Sequence, residues 1–237
     1  MSQQRAVLAF DTATAATVVG LSIDGEMVSE LADRPAADER PRHAERLLSL
    51  CEAALAEAGI GWTDLSQIGV GVGPGTFTGL RIGVATAQGL AQATDVPLIA
   101  VSTLEALALP ARTTEPTLQV AAVADARRGE AYIAAWLPGG EQTVPDQACP
   151  PLQLAAALGA EAAATIAVGD GALIFRKELE IGAIAVPDDG SALHQLTGSA
   201  LCQLAASTES VGTGSLVPRY VRKPDAEISL QARSETQ

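Results

Sequence analysis

Two aspartates end apolar runs in this chain, and each stands beside groups that could share a cation or a phosphate. Asp11 follows Ala6–Phe10 and precedes Thr12 and Thr14, while Asp125 follows Leu118–Ala124 and precedes Arg127 and Arg128. A carboxylate beside hydroxyls can hold a hydrated Mg²⁺, and Asp at a strand end also caps a turn. Both readings stand at this level. Gly73-Pro74-Gly75 and Gly169-Asp170-Gly171 are turns whose backbone N–H groups could cradle phosphate oxygens. Neither is followed by Lys-Ser or Lys-Thr, so there is no Walker-type loop, and a plain tight turn explains each as well. His43 and His194 are the only histidines, and Leu47 stands four residues after His43, so no helical metal pair forms. We expect a polar helix-end residue at His43 and a helix-surface residue at His194. Ser102-Thr103 lacks the Gly-x-Ser-x-Gly elbow of a serine hydrolase. The basic run Arg219–Lys223 could touch phosphate, and a solvated tail is the reading preferred. No catalytic residue and no metal ligand is assigned.

The elements that must position these groups follow from hydrophobic period and punctuation. Ala6–Phe10 is a buried strand, and Thr17–Ile23 and Glu26–Ala32 flank the hairpin signal Asp24-Gly25. From His43 to Ala58 the period is helical. Ala44, Leu47, Leu48, Cys51, Ala54, Leu55 and Ala58 share one face, with Gly59 as C-cap. Gln67–Val72 is a strand, Thr78–Ala93 a helix and Leu98–Val101 a strand. In that second helix Gly79, Gly83, Ala87 and Ala91 recur every fourth residue, a ridge that lets another backbone approach closely. Gly in a helix costs about 1 kcal/mol relative to Ala, so such a ridge marks a contact that offsets it. Packing on the chain's own sheet and packing on a partner are both open.

The second half repeats the theme. Leu118–Ala124 and Glu130–Leu137 are strands, Pro151–Leu158 begins a helix, Thr165–Val168 is a strand, and Ala192–Ala206 is a last amphipathic helix with Leu193, Leu196, Leu201 and Leu204. A duplicated βββαβα unit in an α/β chain is the actin-like, sugar-kinase and Hsp70 (ASKHA) architecture with two lobes. Residues 1–105, completed by 190–237, form the N-terminal lobe and 106–189 the second. Glu105–Pro116 is the crossover, Ser207–Leu216 a loop, and 229–237 fray.

The chain has 237 residues, a net charge of −13 and only 3% aromatic residues. That balance argues against a broad basic surface for nucleic acid and against a base-stacking platform. Cys51, Cys149 and Cys202 form no C-x-x-C pair, so neither a disulfide framework nor a structural zinc site is expected. No run resembles a membrane span, and a cytoplasmic, reducing compartment is the expectation.

Four blocks resemble the TsaB (YeaZ) family of bacterial tRNA threonylcarbamoyladenosine synthesis. They are AFDTATAATVVGLS at Ala9–Ser22, GPGTFTGLRIG at Gly73–Gly83, DARRGEAYIA at Asp125–Ala134 and PRYVRKPDAE at Pro218–Glu227. The second block carries the family's signature loop, here Gly73, Pro74, Gly75, Thr76, Thr78, Gly79 and Arg81. The resemblance implies a non-catalytic paralogue of the catalytic subunit TsaD, which carries an H-x-x-x-H metal pair where this chain has Thr103 and Leu107. It implies pairing with TsaD, association with the ATPase TsaE, and transfer of a threonylcarbamoyl group to adenosine 37 of tRNAs reading ANN codons. No cofactor is then bound by this chain alone, ATP and a metal ion belong to partner subunits, and tRNA is met only indirectly or weakly. The family's heterodimer is built from the first two helices of each partner, which implies contact residues among His43, Leu47, Leu50, Cys51, Leu80, Gly83 and Ala87. Without the partner the same face can form a homodimer. A metal-dependent glycoprotease-like peptidase and a stand-alone ATP-using kinase are the alternatives.

Overall fold

The structure, a computed structural model, describes residues 4–36, 39–159 and 164–222. The fraying expected at 229–237 and the Lys223–Glu227 end of the tail motif lie outside the described residues. Strand β1 (Ala6–Asp11) pairs antiparallel with β2 (Thr17–Ile23), which pairs with β3 (Glu26–Asp33). The β2–β3 turn puts both Asp24 (φ 52°) and Gly25 (φ 90°) in the left-handed region, as a two-residue type I′ turn requires. Helix α1 (His43–Ala58) ends at Gly59 with φ 67°. Then β4 (Leu65–Gly71) joins β1 in parallel, α2 (Phe77–Thr94) follows, and β5 (Leu98–Val101) joins β4 in parallel. The sheet order is β3-β2-β1-β4-β5.

The second sheet copies that order as β8-β7-β6-β9, with β6 (Gln119–Asp125), β7 (Ala131–Trp136), β8 (Gln142–Cys149) and β9 (Thr165–Val168). Beyond β9 a single bridge from Ile166 to Ala185 takes the place that β5 holds in the first sheet. The duplication expected from the sequence is therefore present, and β8, the counterpart of β3, is a strand that the sequence reading did not include. Pro145 and the polar run around it hid an edge strand, a place where Pro is tolerated in a sheet.

Three other elements differ from expectation. The expected crossover Glu105–Pro116 is formed by most of helix α3 (Thr103–Thr114), an element not read from the sequence, capped by Ser102, whose Oγ accepts from Glu105 N at 3.3 Å. The final helix α7 spans Gly198–Ser207 and not Ala192–Ala206, because Thr197 caps it and Ala192–His194 is a separate 3₁₀ turn. Gly198 lies against Gly20 of β2 so closely that a Cβ there would sit 2.7 Å from the Gly20 Cα. The Gly169-Asp170-Gly171 turn is a strand-to-helix junction, with α5 (Asp170–Ile174) beginning inside it and α6 (Arg176–Ile181) after it. A short α4 (Leu154–Ala157) precedes β9.

Alternation along the central strands builds five layers. Ala6, Leu8 and Phe10 face α1 and α2, while Val7 and Ala9 face α7 and α3. Val120, Ala122 and Ala124 meet α3 from the other sheet, and Ala121 and Val123 turn away toward α4–α6. Helices α3 and α7 are thus filling between two sheets, and α1 and α2 lie together on the outer side of the first. Among the described residues, no helix is long and apolar enough to cross a membrane.

Candidate functional site

The signature segment is held by close backbone approaches. Thr76 caps α2, its Oγ1 accepting from Gly79 N at 3.3 Å, and Thr76 N donates to Ala13 O at 2.7 Å. Thr12 Oγ1 donates to Gly79 O at 2.7 Å. A Cβ on Gly79 would lie 1.9 Å from the Thr12 carbonyl oxygen, and one on Gly75 would lie 2.4 Å from Ala13 O. Gly83 faces Thr12 Oγ1 at 2.6 Å by the same measure, and Gly73 takes φ +105°. The small ridge of α2 therefore serves the chain's own β1–β2 turn. Thr78 and Arg81 point outward, and Pro74 lies beside the second sheet's turn. Arg81 stacks its guanidinium 3.9 Å over the Phe77 ring, and its Nε donates to Tyr220 Oη at 3.3 Å.

Asp11 is fully buried at the centre of this junction. Its Oδ1 accepts from Ala13 N at 2.6 Å and its Oδ2 from Thr103 Oγ1 at 2.6 Å. Gly71 leaves the room, since a Cβ there would fall 1.8 Å from Asp11 Oδ2. The turn-capping reading of Asp11 is the one realised, and Thr103 spends its hydroxyl on it. Leu107 packs in the core between the sheets. A hydroxyl already donated to a carboxylate, beside a hydrocarbon side chain, does not offer the donor set of a metal pair. Among the described residues, no three His, Cys, Asp or Glu side chains are gathered for a metal ion. The room left by Gly71 and the bond from Thr103 to Asp11 escaped sequence reasoning. Gly69 and Gly71, alternating on β4, were the available signal for a close approach on one face of the strand.

Burial raises the Asp11 carboxyl above its ordinary 3.8, against the bonds from Thr103 and Ala13 that lower it. The folded chain therefore keeps this proton to higher pH than the unfolded chain. Its contribution favours folding below pH 3.8 and is lost as pH rises through the folded value. Denaturant midpoints of the protein and of Asp11→Asn should separate as pH rises from acid to neutral, with the variant gaining relative to the parent. Parallel pH profiles would contradict the assignment.

The other candidates are settled locally. Asp125 Oδ1 accepts from Arg127 N at 2.8 Å and its Oδ2 pairs with the Arg127 guanidinium at 3.2 Å. Arg127 and Arg128 both take positive φ in this turn, 62° and 55°. Asp170 Oδ1 accepts from Asp125 N and Gly171 N, at 3.1 and 2.9 Å. Burial raises the Asp170 carboxyl. The cleft between Pro74–Thr76 and Asp125–Arg127 has a volume of about 10 Å³, room for one water. His194 is not on a helix surface but buried, its Nδ1 beside Gly169 N and O and its Nε2 beside Pro187 O. The tail is docked and not simply solvated. Arg219 N donates to Val72 O at 2.8 Å, and Arg222 pairs with Glu130 at 2.7 Å.

All seven residues expected at a partner interface face inward. His43, Leu47, Leu50, Cys51, Leu80, Gly83 and Ala87 are buried within the chain. Leu47, Leu50, Cys51 and Ala87 belong to the core under the first sheet. His43 Nδ1 lies 2.8 Å from Thr17 Oγ1, and burial lowers its pKa. The face of α1 and α2 that these residues occupy is the one packed on the chain's own sheet, not the outward one. The expected α1 face is also rotated: Ala44 and Leu48 point to solvent, while His43 and Leu50 point in. The outward faces of α1 and α2 carry Ala44 and Leu48 beside Phe77, Ile82, Ala85 and Gly89, with Leu48 47% and Phe77 38% exposed. Gly89 has nothing within 4 Å of a Cβ built on it, so nothing in the fold requires a glycine there.

Residues 37–228 match the family model described as tRNA N6-adenosine threonylcarbamoyltransferase. The chain is 41% identical over 130 residues to the tRNA threonylcarbamoyladenosine biosynthesis protein TsaB of Escherichia coli. That match covers 54% of this chain and 53% of the relative, so the chain matches about half of that curated protein's length. The solved structure of YeaZ from Pseudomonas aeruginosa is 31% identical with a TM-score of 0.72, covering 91% of this chain and 99% of that one. A ROK hexokinase from Thermus thermophilus (15% identity, TM-score 0.50, covering 86% and 98%) shares the fold alone. The actin-like architecture read from element order is thus found in the structural neighbours.

Proposed function

Because this chain belongs to the TsaB (YeaZ) family, we propose that it is the non-catalytic, activating subunit of the assembly that transfers a threonylcarbamoyl group to adenosine 37 of tRNAs reading ANN codons. In this reading it heterodimerises with a TsaD-like catalytic subunit, and a TsaE-like ATPase joins them. ATP and the metal ion belong to those partners, and tRNA meets this chain indirectly or weakly. The lobes are residues 1–105 with 190–237, and 106–189.

The observation that carries the reading is the outward strip of α1 and α2. Two neighbouring helices bury one face on the sheet and leave Leu48, Phe77, Ala85 and an unneeded Gly89 to solvent, with Ile82 half-buried at the edge of the strip. A glycine with open space above it costs helix stability and lets a second helix come close. Two helices of 16 and 18 residues can supply the roughly 800 Å² per partner of a standard interface. Apolar and small residues are suited to a four-helix contact. A second copy of this chain takes the same face when the partner is absent.

Support for a non-catalytic role comes from Thr103 and Leu107, which stand where the catalytic paralogue's metal pair is expected and offer one committed hydroxyl and no imidazole. Mixing the chain with its organism's TsaD should give a one-to-one complex on size-exclusion chromatography. Two separate peaks at micromolar concentration would refute the pairing.

A further inference from the structure

A cavity of about 330 Å³ opens where the start of α3, strands β7 and β8 and the docked tail meet, away from the α1–α2 strip. It falls in the size range of small-molecule sites. Its wall combines the Trp136 indole with charges of both signs: Asp146 and Glu105 against Arg219. Asp146 is only loosely served by its neighbours. Ser102 Oγ donates to it at 3.4 Å and Gln142 Nε2 at 3.3 Å, both at the long end for such bonds. Burial pushes its carboxyl up, and the nearby Arg219 charge offsets that in part without a direct ion pair among the described residues. Among the described residues Glu105 pairs with Arg112 at 3.7 Å, and that guanidinium also lies over the Trp136 ring at 5.6 Å.

A cavity with one carboxylate held only by two long hydrogen bonds, one guanidinium that makes no ion pair among the described residues and an apolar ring in its wall fits a ligand that carries both charges on a short frame. We propose that it binds a free α-amino acid, the ammonium on Asp146 with Glu105 behind it, the carboxylate on Arg219, and the side chain against Trp136. A simple amine would make no use of Arg219, and a simple acid would be repelled by Asp146 and Glu105. The site goes beyond the pairing described above and does not depend on it.

The test is calorimetric titration of the full chain with each of the twenty L-amino acids, then with the N-acetyl and the carboxamide derivative of any that binds. At least one amino acid should bind with a Kd of about 1 mM or tighter. Removing either charge from it should weaken binding about tenfold or more, as should Asp146→Asn and Arg219→Ala. No binding by any of the twenty up to about 10 mM would overturn the proposal. Equal binding of the derivatives, or parental affinity in both variants, would overturn it too. The derivatives probe the unaltered protein, so a variant that fails to fold leaves the test standing.

Discussion

Gly89→Arg is expected to abolish capture of the catalytic paralogue while making the isolated chain slightly more stable. The two effects have opposite signs for one reason. Gly89 lies in the exposed turn of α2, where a Cβ would have nothing within 4 Å, so the chain itself gains helix propensity, about 0.8 kcal/mol, when a side chain is added. A partner helix lying across that turn meets a guanidinium where it had free space. Loss of a central contact of this kind costs about 2 kcal/mol or more, roughly thirtyfold in affinity. Pull-down and thermal melting on the same preparation check both halves. Undiminished capture at a raised melting temperature would remove Gly89 from the interface.

Gly79→Val is expected to do the reverse and damage the fold before any partner is involved. Its Cβ would lie 1.9 Å from the Thr12 carbonyl oxygen, a backbone atom that cannot swing aside. The displacement also strains the Thr12-to-Gly79 hydrogen bond and the Thr76 cap. Overpacking of this kind costs about 3 kcal/mol. In a domain of this size, a loss of that order lowers the melting temperature by on the order of 10 °C. The same reasoning moves Gly83 out of the set of interface probes. Its Cβ would meet Thr12 Oγ1 at 2.6 Å, so a bulky residue there disturbs the β1–α2 junction and tells nothing about pairing. A melting temperature unchanged in Gly79→Val would show that the junction is looser than these distances require.

The two glycines mark the boundary of what the sequence makes legible. The four-residue ridge Gly79-Gly83-Ala87-Ala91 announces close packing, yet periodicity does not say against what. Here it is the chain's own strand end, and the glycine off the ridge, Gly89, is the one left open. Helix α1 shows the same ambiguity. Apolar and small residues cover more than one face, because alanine is neutral to burial, and the inward side is rotated from Leu48 to Leu50. Bounds are sharper where punctuation is strong. Helix α1 spans His43–Ala58 as its period predicts, closed by Gly59, and β5 and β9 match residue for residue. Helix α7 begins six residues late because Gly198 must lie against Gly20, a long-range contact with no local signal. Asp11 shows how a chemically suggestive residue can be structural. Its hydrogen bonds come from Ala13 and from Thr103, 92 residues away, and only the fold brings that donor within reach.

The most direct measurement is reconstitution of tRNA modification from purified components of one organism, with this chain, TsaD and TsaE added singly and together. The account predicts no threonylcarbamoyl transfer by this chain alone, little by TsaD and TsaE without it, and full transfer when it is present. Transfer catalysed by this chain unaided, or full activity in its absence, would contradict it.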